Sequence, residues 1–180
     1  MKKLLERFKQ EKKVISIYND PSDTGNCWTG FVSEVDDNYV LIAHCTEHGF
    51  YGGFCLHEIE GIYNIEQDTS YEKKVQKLYQ LRKQNHPTIS LDVNNSLLDA
   101  LLTYVQKEEI FVSIELMEDD PYSPTGLIQE LTEDYVCLKN FTSGGETNGY
   151  SYIEKEDIHK LFVDSMPEQD LTLIYQDLNK

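Results

Sequence analysis

The sequence predicts a mainly β protein with flanking helices (α+β), built as two tandem five-stranded barrels that are each preceded and followed by a helix. The first observation behind this is an internal repeat: residues 1–84 align with residues 97–180 at a constant offset of 96, and 18 of the 84 pairs are identical. The second is that each copy holds five short strand-like segments between two helices. Because so small an open sheet would leave its edges exposed, closure into a barrel is expected.

The repeat also sets the expected domain organisation. We expect a first barrel over residues 1–84, a linker over residues 85–95 and a second barrel over residues 96–180. Roughly 85 residues can enclose a modest apolar interior, so each copy is expected to fold around its own core.

Each copy is expected to begin with a short amphipathic helix. Leu5 and Phe8 lie on one apolar stripe in the first copy, and Leu101 and Val105 do so in the second. Residues 94–96 (Asn-Asn-Ser) offer capping side chains at the start of the second of these helices.

Strands are predicted from alternating or continuous apolar runs that end in turn residues. The predicted strands are 14–18, 30–35, 39–45, 54–57 and 62–65 in the first copy, and 110–116, 126–131, 135–141, 150–153 and 158–162 in the second. An acidic segment, Glu118-Asp119-Asp120, lacks the spacing of a calcium loop and is interpreted as a solvated turn.

Both copies end with the same helix-start signal. Thr69-x-x-Glu72 and Ser165-x-x-Glu168 are capping boxes, in which a hydroxyl and a carboxylate satisfy amide donors of the first helical turn. We therefore expect a second helix after the strands of each copy.

Two motifs resemble a known family. The first is the run Gly30–Ile42, with the pattern Gly-x-apolar-x-x-apolar-Asp-Asp, and the second is Ile153–Ile158, matched by residues 57–62. Together with the helix before them and the Gly-rich hairpin between them, they resemble the Sm-like (LSm) β-barrel, and an SH3-like small barrel is the alternative. The resemblance implies rings formed by pairing of barrel edges, and binding of single-stranded RNA around a pore.

The residues that carry the family's RNA binding are not retained. The family's Asn in the first motif is replaced by Val40 or its apolar neighbours, and its Arg-Gly by Glu58-Ile59 and Glu154-Lys155. Carboxylates repel a phosphate backbone, so the resemblance predicts the fold while RNA binding is disfavoured.

Charge and composition limit the partners. Residues 1–84 carry 11 basic and 13 acidic side chains, and residues 85–180 carry 5 and 19, so the two halves have net charges of −2 and −14. The second half should repel nucleic acid and anionic membranes.

No run of apolar residues is long enough to span a bilayer, and the charged N-terminal segment does not fit a secretory signal, so a cytoplasmic location is expected. Three of the four cysteines lie in the first copy, which favours free thiols over a duplicated disulfide framework.

One hairpin carries residue types that bind zinc. Cys45 and His48 precede its turn, and Cys55 and His57 follow it, which gives soft sulfur and imidazole donors on both arms. A zinc site or a thiol enzyme centred on residues 44–57 is one alternative, but His44 and Cys45 should face opposite sides of their strand. An ordinary hairpin with buried thiols and exposed imidazoles is the preferred interpretation, so no cofactor and no catalytic residue are predicted.

Binding through the surface is the preferred function. Trp28, Phe50 and Tyr51 are candidate contact residues, since the chain has more aromatic side chains than two small barrels can bury. We expect a non-enzymatic interaction module with a protein partner. The alternatives are single-stranded RNA bound through the basic helix of the first copy, with Lys9, Lys12 and Lys13, and homo-oligomers formed by pairing of barrel edges.

Overall fold

The structure is a computed structural model that describes residues 1–92, 96–116 and 123–180. It is α+β, with ten mainly antiparallel strands and four α-helices in the described residues. The chain divides into two compact units, Met1–Ser90 (unit 1) and Leu91–Lys180 (unit 2). The boundary falls inside the segment expected as a linker. Residues 93–95 of that segment, which include the expected caps Asn94 and Asn95, and the acidic turn at 118–120 lie outside the described residues.

Unit 1 contains two helices around five strands. Its elements are α1 (Lys2–Glu11), β1 (Val14–Tyr18), β2 (Trp28–Val35), β3 (Tyr39–Cys45), β4 (Tyr51–Glu58), β5 (Asn64–Gln67) and α2 (Ser70–Leu81). The antiparallel strands pair in the order β5-β1-β2-β3-β4.

Unit 2 has the same order of elements. They are α3 (Leu97–Lys107), β6 (Val112–Glu115), β7 (Thr125–Leu131), β8 (Tyr135–Phe141), β9 (Thr147–Glu154), β10 (Lys160–Val163) and α4 (Met166–Leu178), with a short 3₁₀-helix at Lys155–Asp157. The strands pair in the order β10-β6-β7-β8-β9.

The expected closure of each sheet into a barrel is not confirmed. In both units the last strand returns to pair with the first, but no ladder joins β4 to β5 or β9 to β10 in the described residues. Closure would require the four-residue β5 to pair also with β4, and the four-residue β10 to pair also with β9. Each unit therefore has a five-stranded sheet that is open between its fourth and fifth strands.

The main core of unit 1 lies between α1 and the sheet. Leu5 and Phe8 of α1 pack with Ile15, Val40 and Ile42 of the strands, and all five side chains are buried. In unit 2 the buried apolar residues at the matching positions of the helix and strands are Leu102, Val105, Val112, Val136 and Leu138.

The gapless alignment of the two copies is wrong by one residue in its N-terminal part. In unit 1 Ser16 of β1 pairs with Thr29 of β2, whereas in unit 2 Ser113 pairs with Thr125. The offset is therefore 97 up to the first strand and 96 from β2 onward. A one-residue slip turns every strand side chain to the opposite face. At the constant offset of 96, the side chains of β6 that match the buried residues of β1 would therefore face the wrong side of the sheet.

The same one-residue shift applies to the first helix of each unit. The left-handed residue that ends α1 is Lys12, and its counterpart after α3 is Glu109, each with φ of 52°. Leu5 thus corresponds to Leu102, and the identities Leu5/Leu101 and Gln10/Gln106 do not join equivalent positions.

Two glycines mark a close approach between strands. A Cβ at Gly30 would lie 2.2 Å from the backbone oxygen of Ala43, and one at Gly126 would lie 1.9 Å from that of Lys139. Each precedes a bulge in the ladder to the third strand, at Val32/Glu34 and at Ile128/Glu130. Only glycine allows the backbones this close, which explains the repeated Thr-Gly pair.

Both predicted capping boxes are confirmed. Thr69 caps α2 and Ser165 caps α4, and in each box the N3 glutamate accepts a hydrogen bond from the backbone N–H of the cap residue at 3.0 Å. Ser96 caps α3 by accepting from the Asp99 N–H. No α-helix in the described ranges has the length and apolar character needed to cross a bilayer.

Candidate functional site

Each unit has a cleft at the same place in its fold. The clefts lie between the start of the last helix and the turn that follows the third strand, and they have volumes of about 480 Å³ in unit 1 (cleft 1) and 460 Å³ in unit 2 (cleft 2). Four lining positions correspond at the offset of 96, namely Thr29/Thr125, Cys45/Phe141, Glu47/Ser143 and Tyr71/Pro167. A cleft found twice at matching positions is the best candidate for a functional site.

A buried polar network lies beneath cleft 1. The Ser16 hydroxyl donates to a carboxylate oxygen of Glu72 at 2.6 Å and is 2.9 Å from the Thr29 hydroxyl. The other oxygen of Glu72 accepts from the N–H and the hydroxyl of Thr69, at 3.0 and 2.5 Å. Glu72 is 1% exposed, so this carboxylate joins the start of α2 to the first two strands from inside the fold.

Unit 2 contains the same network, formed by the equivalent residues. The Ser113 hydroxyl donates to Glu168 and lies 2.8 Å from the Thr125 hydroxyl, and Glu168 also accepts from the N–H and the hydroxyl of Ser165. Glu168 is 1% exposed. Since both carboxylate oxygens of each glutamate have donors, the network positions the helix that forms one wall of the cleft, and its role is structural.

Cleft 1 has a polar lining. The Tyr18 hydroxyl donates to Glu66 at 2.9 Å, and burial together with that carboxylate raises the pKa of Tyr18. The Cys27 thiol is half-buried and lies 3.6 Å from the Thr29 hydroxyl. Nδ1 of His44 donates to the Thr29 backbone oxygen at 2.9 Å, and burial lowers the pKa of His44. The thiol thus has a hydroxyl as its partner, which is not the arrangement of a nucleophile with its base.

Cleft 2 is mainly apolar. Its helix wall is formed by Met166, Pro167, Leu171 and Ile174, and Asp170 is the one ionisable residue of the lining that the structure describes. This composition suits an apolar side chain.

The apolar wall of cleft 2 continues along the outside of α4. Met166, Leu173, Ile174 and Leu178, which we call the α4 face, have exposed fractions of 59, 65, 39 and 61%. Tyr150 on β9 is 59% exposed, whereas its counterpart Phe54 on β4 is 2% exposed. Unit 2 therefore exposes a group of large apolar side chains at a place where unit 1 does not.

The structure does not bring the candidate zinc ligands together. Cys45 packs against Val14 and Tyr79 in the cluster beneath α2, and burial raises its pKa to about 12. His48 is in the exposed turn after β3, with 70% of its side chain accessible. No cluster of three or more potential metal ligands occurs in the residues that the structure describes.

The other two candidate ligands lie on a different side of the hairpin. Cys55 is buried on β4. The His57 ring was expected to be exposed, but it is fully buried, with its Nδ1 3.2 Å from the Asn19 amide and its ring 5.4 Å from that of Trp28. His44 contacts the same Trp28 ring at 5.3 Å, so His44 and Cys45 lie in separate environments, as adjacent strand residues should.

The candidate contact aromatics have unequal exposure. Trp28 is half-buried between the rings of His44 and His57. Tyr51 is half-buried against His86, with ring centroids 4.8 Å apart, and Phe50 is 43% exposed beneath the guanidinium of Arg82. Of the three, Phe50 alone presents a large exposed ring.

The candidate RNA-binding lysines are largely neutralised. Lys9 forms an ion pair with Glu34 at 2.6 Å, and Lys13 forms one with Asp68 at 2.7 Å. Lys12 is the exposed left-handed residue that ends α1. Paired lysines contribute less to phosphate binding, because each contact must first release its carboxylate.

Sequence reasoning missed the α4 face and His86. The α4 face has an apolar pattern typical of a buried helix, which hid its exposure. His86 lies in the segment expected as a linker, yet it packs against several aromatic rings of unit 1. A histidine next to Pro87, shortly after a helix, gave no periodic signal that would have revealed this packing.

Comparison with known proteins gives no relative: no family model, no curated protein and no solved structure matches this chain.

Proposed function

We propose that this chain is a non-enzymatic, cytoplasmic protein-interaction module made of two Sm-like units, and that unit 2 is its principal contact surface. The observation that carries the proposal is the exposed α4 face beside the apolar cleft 2. Large apolar side chains clustered on a surface are a feature of protein contact sites.

The fold supports an Sm-like assignment in its general plan. In each unit a helix precedes five antiparallel strands, and the last strand pairs with the first, which is the start of a small barrel. The four cysteines are free thiols, in keeping with a reducing compartment.

Charge supports a protein partner over a nucleic acid. Unit 2 carries 5 basic and 19 acidic side chains, so its surface repels phosphate. In unit 1, Lys9 and Lys13 are paired with carboxylates, which removes much of the basic patch that the RNA alternative requires. The zinc and thiol-enzyme alternatives gain no support from the separated side chains of the 44–57 hairpin.

The proposal is tested by comparing co-precipitated proteins between variants in an extract of the native host. The test variant is Leu178→Asp, and the matched control is Leu81→Asp, which places the same charge on a leucine of α2 that is 69% exposed. We expect at least one protein to be retained by the wild type and the control and lost by the test variant. Identical sets of proteins from all three would overturn the proposal.

A further inference from the structure

Unit 1 covers, with its own chain, the face that unit 2 leaves exposed. The covering segment is residues 82–86 (Arg-Lys-Gln-Asn-His), which follows α2 and which we call the strap. At its start, Nε of Arg82 donates to the His48 backbone oxygen at 3.0 Å, and the guanidinium lies 4.2 Å from the centre of the Phe50 ring. In its middle, Oε1 of Gln84 accepts from the Tyr51 N–H at 3.1 Å.

His86 anchors the end of the strap. Its Nε2 donates to the His44 backbone oxygen at 2.8 Å, because a carbonyl can only accept. Nδ1 therefore accepts from the Tyr79 hydroxyl, at 2.7 Å. The imidazole stacks on Tyr79 at an interplanar angle of 21° and lies 5.4 Å from the Phe54 ring. The strap thus binds as a ligand would, through one cationic and one imidazole side chain.

The receptor for the strap has a counterpart in unit 2. The positions of Phe31, Phe54 and Tyr79 correspond to Leu127, Tyr150 and Tyr175, which are also apolar or aromatic. Tyr175 packs against Phe111 and Phe141 at ring distances of 5.5 and 5.3 Å, as Tyr79 packs against its own cluster. No described segment of the chain covers this site, since Tyr150 and Leu178 remain 59 and 61% exposed.

Charge defines the segment that would suit the site. Glu146 occupies the position of Phe50, so a guanidinium that stacks on a ring in unit 1 would face a carboxylate in unit 2. Asp170 and Asp177 lie on the same helix as the α4 face. With the unit's 5 basic and 19 acidic side chains, the site favours a cationic ligand.

We propose that the face formed by Tyr150, Tyr175, Ile174 and Leu178 in unit 2 binds a short basic segment of a partner protein, whose histidine takes the place that His86 takes in unit 1. Residues 178–180 stand at the positions of strap residues 82–84, so the segment corresponds to the histidine end of the strap. This inference rests on the proposed function, because it specifies the chemistry of the protein partner. A cationic side chain of the segment pairs with Glu146, and the histidine lies between Tyr150 and Tyr175.

The probe for the test is a fluorescein-labelled peptide with the sequence of residues 81–90, and fluorescence anisotropy with the full chain measures its affinity. We expect binding to one site that weakens as salt is raised. Tyr150→Ser and Leu178→Asp should each weaken it by about tenfold or more, which corresponds to about 1.4 kcal/mol. The control Leu81→Asp should leave it unchanged, and a peptide with alanine in place of its histidine should bind more weakly.

Several results would overturn the inference. One is absence of peptide binding, and another is equal affinity for wild type, Tyr150→Ser and Leu178→Asp. Because both side chains are exposed, unchanged circular dichroism spectra check that the variants are folded. If sedimentation shows that the wild type dimerises and Leu178→Asp does not, the occupant is a second copy and not a partner. A co-precipitated protein that depends on α4, combined with no peptide binding, would retain the proposed function and remove this inference alone.

Discussion

Unit 1 and unit 2 place the same elements in the same order, but they differ in what covers the last helix. In unit 1 the strap lies over Phe54 and Tyr79, which are 2 and 8% exposed. In unit 2 the corresponding Tyr150 is 59% exposed, and α4 presents four further apolar side chains to solvent. The shared parts therefore maintain the fold, and the parts that differ are where a function specific to one unit should lie.

The buried glutamates are the strongest test of what the units share. Glu72→Ala and Glu168→Ala should each destabilise their own unit by about 3 kcal/mol, because each leaves a buried serine and a helix cap without an acceptor. Urea unfolding measured by the fluorescence of Trp28, the single tryptophan, reports on unit 1, and circular dichroism reports on both units.

The exposed Glu60 provides the control for the glutamate series, since Glu60→Ala should change neither signal. If Glu168→Ala lowered the urea midpoint reported by Trp28 as much as Glu72→Ala does, the two glutamates would not act on separate units.

The glycines that precede the bulges should give the next largest effect. Gly30→Ala and Gly126→Ala place a Cβ against a backbone oxygen, so each should cost about 2 kcal/mol of stability as the strands move apart. Gly61→Ala is the matched control, because the nearest atom to its added Cβ is 3.9 Å away. Urea midpoints provide the measurement, and equal midpoints for Gly30→Ala and Gly61→Ala would contradict the close approach.

Mild acid should destabilise unit 1 more than unit 2, and this effect should be smaller than those of the substitutions above. Burial lowers the pKa of both His44 and His86 in folded unit 1, so the unfolded chain binds more protons than the folded one just below the ordinary histidine pKa of about 6.5. The stabilisation is complete above that pH and is lost as the pH falls toward the folded-state values.

The measurement for this prediction is the Trp28 transition in urea at pH 7.5 and 5.5. His44→Asn, which introduces the residue found at the equivalent position 140, combined with His86→Asn, should reduce the difference between the two pH values. A wild-type transition that does not move between these pH values would contradict the assigned burial of the imidazoles.

Thiol reactivity should distinguish the units without changing their stability. Cys27 is half-buried, whereas Cys45, Cys55 and Cys137 are buried, and burial raises the pKa of Cys45 to about 12. Since the thiolate is the reactive form, a disulfide reagent should modify one thiol of the native chain quickly, and Cys27→Ser should abolish that phase. Fast modification of a second thiol in the variant would show that the interior is open.

Local chemistry was the part of the fold that could be predicted from sequence. The capping boxes at Thr69 and Ser165 were predicted correctly because their hydrogen bonds span only three residues. The register of β6 was not, because the pairing of Ser113 with Thr125 depends on a loop that is one residue shorter than its counterpart. A serine inside each apolar first strand, together with the repeated Glu72 and Glu168, was the available signal for the buried network.

The candidate site was harder to predict than the fold. The donors of the 44–57 hairpin are close in sequence, but the β3–β4 pairing places Cys55 opposite Ile42 and His57 opposite Val40. Cys45 instead lies opposite Tyr51, across a bulge. Exposure of the α4 face depends on what packs over a helix, and spacing along the helix does not contain that information.

The outer edge of β9 has a consequence for handling the protein. This eight-residue strand pairs with β8 and with no other described strand, and its sequence contains neither lysine nor proline to discourage a further strand. Gly149, with φ of 75°, interrupts its pleat at the third of these eight residues. In concentrated solution, intermolecular strand addition and the fibrous aggregates that follow from it should begin at this edge of the second unit, with Gly149 as its main protection.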